Sequence, residues 1–270
     1  VSPGDFDLLA GILKQRSGLV LSKEKVYLLE SRLVPLARKR GLSGLDALIG
    51  QIRSSRDEAL LRDVTEAMTT NESFFFRDGK PFEIFQTETL PMLLRTRAQR
   101  KSIRIWSAAC STGQEPYSLA MILREEAARL AGWRVELVAT DLSAEVLEKA
   151  KVGLYSQFEV QRGLPIKFLV NCFSQVNEMW QINAAVRAMV KFREFNLLED
   201  LNELGQFDVI FCRNVLIYFD QETKRTVLDR LARLMPPDGV LYLGGAETVF
   251  GLSERFKPVS GQRGVYAAAA

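Results

Sequence analysis

From about residue 100 the chain alternates short apolar runs with amphipathic stretches. IRIWSAAC is followed by EPYSLAMILREEAARLA, RVELVATD by SAEVLEKAKVG, and FDVIFCRN by QETKRTVLDRLARLM, before GVLYLGGAE. Strand and helix in alternation predict a parallel sheet covered on both faces. In such sheets ligands bind beyond the carboxyl ends of the strands. The chemistry is therefore sought where each apolar run stops.

Residues 5 to about 70 read differently. DFDLLAGILKQRSG, SKEKVYLLESRLVPLARKRG, GLDALIGQIRSS and DEALLRDVTEAMTT carry apolar residues three and four apart and are separated by Gly and Ser. They predict a small helical bundle. The expected organisation is a helical domain over 1–70, a linker with a lead-in helix over 71–100, and an α/β domain over 101–270. A small antiparallel β subdomain is expected at about 160–193, where WQINAAVRAMVKF reads as a hairpin leaving and rejoining the sheet.

Composition excludes several classes of chemistry. The 270 residues contain no histidine, which removes Ser-His and Cys-His dyads, histidine-ligated metals and the commonest general base. Three cysteines without C-x-x-C spacing give neither a disulfide framework nor a zinc site, and no metal is expected. A net charge of +3 is too small to indicate a nucleic-acid protein. There is no charged segment followed by an apolar signal core, and no apolar run of the roughly 18 residues a membrane helix needs. A cytoplasmic protein without membrane insertion is expected.

The strand ends supply the candidates. After IRIWSAA, the segment CSTGQEPYS offers Gly113 for a tight turn and a helix start near Glu115 or Pro116. VELVATD ends on Asp141, which is placed either to accept ribose hydroxyls or to cap the following helix. Because the G-x-G-x-x-G spacing is missing, a dinucleotide pyrophosphate is disfavoured relative to S-adenosylmethionine, which has no phosphate. FCRNVLIYF sets Arg213 and Asn214 into an apolar run, where a guanidinium needs a partner. That partner is either a polar ligand or a buried carboxylate.

TTNESFFFRD, WSAACSTGQEPYS, ATDLSAEVLEKAKVGLY, FNLLE, FDVIFCRNVLIYFD and PPDGVLYLGGAE stand in one order over essentially the whole chain. In this the sequence resembles the chemotaxis receptor methyltransferases of the CheR family. The resemblance implies a Rossmann-like class I S-adenosylmethionine methyltransferase domain with a small antiparallel β insertion, preceded by an all-α domain. It implies methylation of chemoreceptor glutamates in sensory adaptation, with S-adenosylhomocysteine as product. By position, Asn71, Ser73, Arg77, Glu115, Asp141, Asn196, Leu197, Arg213 and Asn214 would bind the cofactor. Arg77 and Tyr218 would serve the reaction centre. The alternative is a regulatory module that binds cofactor or product and transfers nothing.

A glutamate carboxylate, with a solution pKa of about 4.3, is already ionised at neutral pH, so such a transfer suits a chain without histidine. Between Lys14 and Arg40 there are eight basic residues against two acidic ones. Arg32, Arg38 and Lys39 are accordingly expected to bind the receptor's cytoplasmic helices. The short turn SQVNEM, which lacks glycine, implies independence from a receptor C-terminal pentapeptide. A monomer is expected.

Overall fold

The computed structural model describes residues 1–269. The first compact unit holds Val1–Thr70 together with Tyr218–Thr223. Its helices are α1 (Pro3–Ser17), α2 (Val26–Lys39), α3 (Leu45–Ser54) and α4 (Glu58–Met68). Ser2 and Asp5 cap α1 reciprocally, with Pro3 in the first turn and left-handed Gly18 ending the helix. Asp57 caps α4 by accepting from the Leu60 N–H. Leu9 and Leu13 of α1, and Leu29 and Leu33 of α2, are fully buried with Leu48 and Val64. The four-residue spacing puts each pair on one helical face, and those faces make the core.

The rest of the described chain forms the second unit. Helix α5 (Lys80–Ile84) continues through a π turn at Phe85–Thr89 into α6 (Leu90–Thr96). Then come β1 (Ser102–Ala108), α7 (Gln114–Glu125), β2 (Arg134–Asp141) and α8 (Ala144–Val152). An insertion follows with β3 (Leu154–Ser156), α9 (Gln157–Gln161), α10 (Ile166–Cys172), β4 (Phe173–Val176), β5 (Met179–Ile182) and α11 (Ala184–Arg187). The chain returns through β6 (Val190–Glu194), β7 (Val209–Cys212), α12 (Gln221–Arg233, which belongs to the second unit from Lys224 on), β8 (Val240–Leu243), β9 (Phe256–Pro258) and β10 (Val265–Ala268).

Seven strands make the main sheet in the order β6-β2-β1-β7-β8-β10-β9. The first five run parallel, and β10 lies antiparallel between β8 and β9. All four residues of β7 and of β8 are buried, as expected for parallel strands covered on both faces. The strand order reverses at β1, whose neighbours are β2 and β7. That switch point opens a crevice at the carboxyl ends of these three strands. This is the Rossmann-like class I methyltransferase arrangement expected from the sequence, with its small antiparallel insert.

The insert differs from expectation in its limits. Its sheet has the order β3-β5-β4, so Leu154–Ser156 contributes a strand upstream of residue 160. Val190–Glu194 instead pairs in parallel with β2 in the main sheet, and the short helix Ala184–Arg187 separates it from β5. WQINAAVRAMVKF is therefore not one hairpin. The β4–β5 turn is tight without glycine, because Asn177 takes a φ of 56°. Asn tolerates the left-handed region through local hydrogen bonding by its short polar side chain.

Residues 71–100, read as a linker with a lead-in helix, do carry helix at Lys80–Ile84 and Leu90–Thr96, and they are built into the second core. Fully buried Phe75 meets Tyr155 and Phe173 edge-on at 4.9 and 5.6 Å. Phe82 stacks on Phe211 at 5.9 Å, while Phe85, Leu90 and Leu93 are buried in the same cluster.

Candidate active site

The loop after β1 has a conformation that its letters conceal. Ala109, Ser111 and Gly113 all have positive φ, at 57°, 52° and 96°. A left-handed residue at every second position tightens the loop as a glycine-rich one would. At Gly113 the reason for glycine is also steric, since a Cβ would lie 3.0–3.1 Å from Ala150, Tyr117 and the Tyr155 hydroxyl. At Ala109 and Ser111 nothing in the side chain announces the turn.

Asp141, at the end of β2, holds this loop. One carboxylate oxygen accepts the Ser111 N–H at 2.8 Å and the other accepts the Ser143 N–H at 3.0 Å. Ser143, not Asp141, is the cap of α8, its hydroxyl accepting from the Val146 N–H. The Ser111 hydroxyl donates to the Asn71 carbonyl at 2.7 Å, bringing the segment with Asn71 and half-buried Ser73 to the same place. The Phe195 N–H donates to the Asp141 carbonyl at 2.9 Å, which sets the segment after β6 beside it. There the Asn196 side-chain oxygen accepts from the Leu198 N–H in a local turn, and Leu197 is buried.

A second cluster joins the ends of β1 and β7. Glu115 lies in the first turn of α7, where the helix dipole favours an anion. It accepts from the buried Ser107 hydroxyl at 2.8 Å and from Arg213 Nη1 at 3.2 Å. Burial pushes the Glu115 carboxyl up, against the opposing pull of Arg213 and Ser107. Arg213 Nη2 donates to Asp78 at 2.7 Å and to the Arg77 carbonyl at 3.0 Å. The Arg213 side chain is 1% exposed, so the chain's own carboxylates answer its charge. Its Nε is buried with no hydrogen-bond partner among the described residues. The Arg77 guanidinium donates to the Glu72 carbonyl at 3.1 Å and lies 5.4 Å from the Phe74 ring.

Asn214 follows with a φ of 58°. Its N–H donates to Glu247, which also accepts from Val215, Ile217 and Gly244. Sequence reasoning missed both Glu247 and Asp78. The available signal at 247 was an acid directly after the small-residue run GGA at a strand end.

Tyr218 belongs to the helical unit, its carbonyl accepting from the Val20 N–H at 2.8 Å. Also in that unit, Arg32 is half-buried and its donors are engaged within the unit. Its guanidinium donates to the Met68 and Thr69 carbonyls at 2.6 and 3.0 Å and to the Thr70 hydroxyl at 3.1 Å. These are groups at the carboxyl end of α4, where bare carbonyls and the dipole attract a cation. Arg40 is drawn likewise to Asp57 and Asp63. Arg38 and Lys39 remain exposed on the last turn of α2. Among the described residues no group of three or more His, Cys, Asp or Glu could hold a metal, and no helix is long and apolar enough to cross a membrane.

Comparison with known proteins agrees with this geometry. Residues 71–265 match the family profile "CheR methyltransferase, SAM binding domain", and residues 4–69 match "CheR methyltransferase, all-alpha domain". The chain is 41% identical over 265 residues to "Chemotaxis protein methyltransferase 1" of Pseudomonas aeruginosa, covering 97% of this chain and 96% of that one. It is 38% identical to "Chemotaxis protein methyltransferase Cher2" of Pseudomonas putida over the same shares. To the "Chemotaxis protein methyltransferase" of Salmonella typhimurium it is 34% identical, over 95% of this chain and 88% of that one. With an all-α unit leading into a class I S-adenosylmethionine-binding fold, and both profiles matched in order, the chain belongs to the CheR methyltransferase family.

Proposed function

We propose that this protein transfers the methyl group of S-adenosylmethionine to glutamate side-chain carboxylates of chemoreceptors, giving glutamate methyl esters and S-adenosylhomocysteine in sensory adaptation. The observation that carries this reading is the charge balance at the carboxyl ends of β1 and β7. Among the described residues the one buried cation there, Arg213, is already matched by Glu115 and Asp78, and Glu247 lies on the adjoining loop. The surplus is negative and suits a ligand bearing ammonium and sulfonium charge. It does not suit a pyrophosphate.

The cofactor, when bound, supplies an electrophilic methyl on a sulfonium sulfur. Asp141 would hold the ribose and Glu115 the amino end, and Asn71, Ser73, Asn196, Leu197 and Asn214 would line the adenosine and tail. Arg213 acts by fixing Glu115. The acceptor glutamate is ionised at neutral pH and needs no proton removed, so a chain without histidine can run the reaction. What remains is to desolvate the carboxylate and hold its oxygen in line with the methyl and sulfur. Arg77 offers a fork of donors for a carboxylate, and Tyr218 positions the acceptor.

Exposed Arg38 and Lys39 dock the receptor's acidic cytoplasmic helices. The two-residue turn between β4 and β5 leaves no loop to enclose a receptor pentapeptide, which supports methylation without that tether; in this reading the protein is a cytoplasmic monomer. Calorimetry tests the ligand class: S-adenosylhomocysteine should bind and NAD should not. The reverse preference would refute the reading.

A further inference from the structure

Glu247 stands at the end of the loop after β8 and is 9% exposed. One of its carboxylate oxygens accepts the N–H groups of Gly244 at 2.6 Å and Asn214 at 2.9 Å. The other accepts those of Val215 at 2.9 Å and Ile217 at 3.3 Å. A single side chain thus ties together the loops leaving two neighbouring strands, β7 and β8. No Lys or Arg pairs with it among the described residues, so backbone dipoles alone hold its charge.

Two further details fit a device with little tolerance. Asn214 sits at a φ of 58°, in the left-handed region that asparagine enters more readily than other non-glycine residues, and Glu247 accepts its N–H there. At Gly244 a Cβ would lie 2.8 Å from both the Glu247 oxygen and the Asn214 side-chain nitrogen, and 3.0 Å from the Asn214 backbone nitrogen. Only glycine leaves room for the carboxylate and Asn214 to meet. Glutamine at 247 would turn an NH₂ donor toward N–H donors, and aspartate would fall one methylene short.

We infer that Glu247 is a positioning residue for cofactor binding, acting by locking Asn214 in its left-handed turn; this rests on the methyltransferase reading above. The carboxylate accepts all four of these hydrogen bonds from backbone N–H groups of the two loops. Its effect should therefore fall on cofactor affinity, with a smaller effect on the methyl-transfer step.

The test uses the full chain and the variants Glu247→Gln and Gly244→Ala, with Glu136→Gln as a control whose side chain lies among β1, β2 and β6 outside the site. Each is measured for S-adenosylhomocysteine affinity by calorimetry, at a temperature where circular dichroism shows it folded, and for KM and kcat with S-adenosylmethionine. Both loop variants should lose at least tenfold in affinity and raise KM more than they lower kcat, while the control keeps wild-type affinity even if its thermal midpoint falls. Wild-type affinity in Glu247→Gln overturns the inference. Should that variant not fold, wild-type affinity in Gly244→Ala does the same. A wild type that binds no S-adenosylhomocysteine overturns the methyltransferase reading, and the inference with it.

Discussion

Arg213 and Glu115 meet at 3.2 Å across 98 residues of sequence, one from the end of β7 and the other from the first turn of α7. Their side chains are 1% and 13% exposed. Neither could be buried so deeply alone, and Asp78 and Ser107 complete the set.

That pairing predicts non-additive mutants. Arg213→Met should destabilise the protein by about 3–5 kcal/mol, because it leaves Glu115 as an uncompensated buried carboxylate. Adding Glu115→Gln should recover a large part of that loss in urea denaturation. The double variant should nonetheless bind S-adenosylhomocysteine poorly. Recovery of affinity along with stability would reduce the pair to a structural role.

The basic residues of the helical unit should separate into two kinds. Arg32→Met should lower stability by about 2 kcal/mol, since it strips charged donors from the end of α4. Replacing Arg38 and Lys39 by Glu should leave stability nearly unchanged and slow receptor methylation, with the wild-type rate falling as salt is added. A salt-insensitive rate would remove these two residues from the docking surface.

Glu136 gives a pH signature. It accepts from Lys191 of β6 at 2.9 Å and from Arg104 of β1 at 2.5 Å, joining three adjacent strands. These hydrogen bonds hold its carboxyl below the ordinary 4.5. With the folded value depressed, its contribution is present above the unfolded pKa and is lost as pH falls through the folded one. Thermal midpoints should therefore drop below about pH 4.5 more steeply in the wild type than in Glu136→Gln, with a difference of about 1 kcal/mol at pH 7. Parallel curves would show that the bridge contributes nothing.

Periodicity and strand ends made the α/β class and most helices legible, because apolar spacing acts locally. The loop at 109–113 was only half legible. Gly113 advertises a turn, whereas Ala109 and Ser111 adopt left-handed backbone that only the surrounding contacts enforce. The partners of Arg213 were hidden for another reason: Asp78 and Glu115 lie 135 and 98 residues away, and nothing in a linear pattern selects them over other acids. The second role of Arg32 was hidden because composition counts charges without showing which ones also cap a neighbouring helix. Val190–Glu194 misled because a strand of the insert and an edge strand of the main sheet share the same period of two.

The most direct measurement is transfer of a radiolabelled methyl group from S-adenosylmethionine to a chemoreceptor cytoplasmic fragment. The account predicts label on receptor glutamates that is released as methanol by mild base, and that is lost when those glutamates are replaced by alanine. Base-stable label, or no label from a protein that binds S-adenosylhomocysteine, would contradict it.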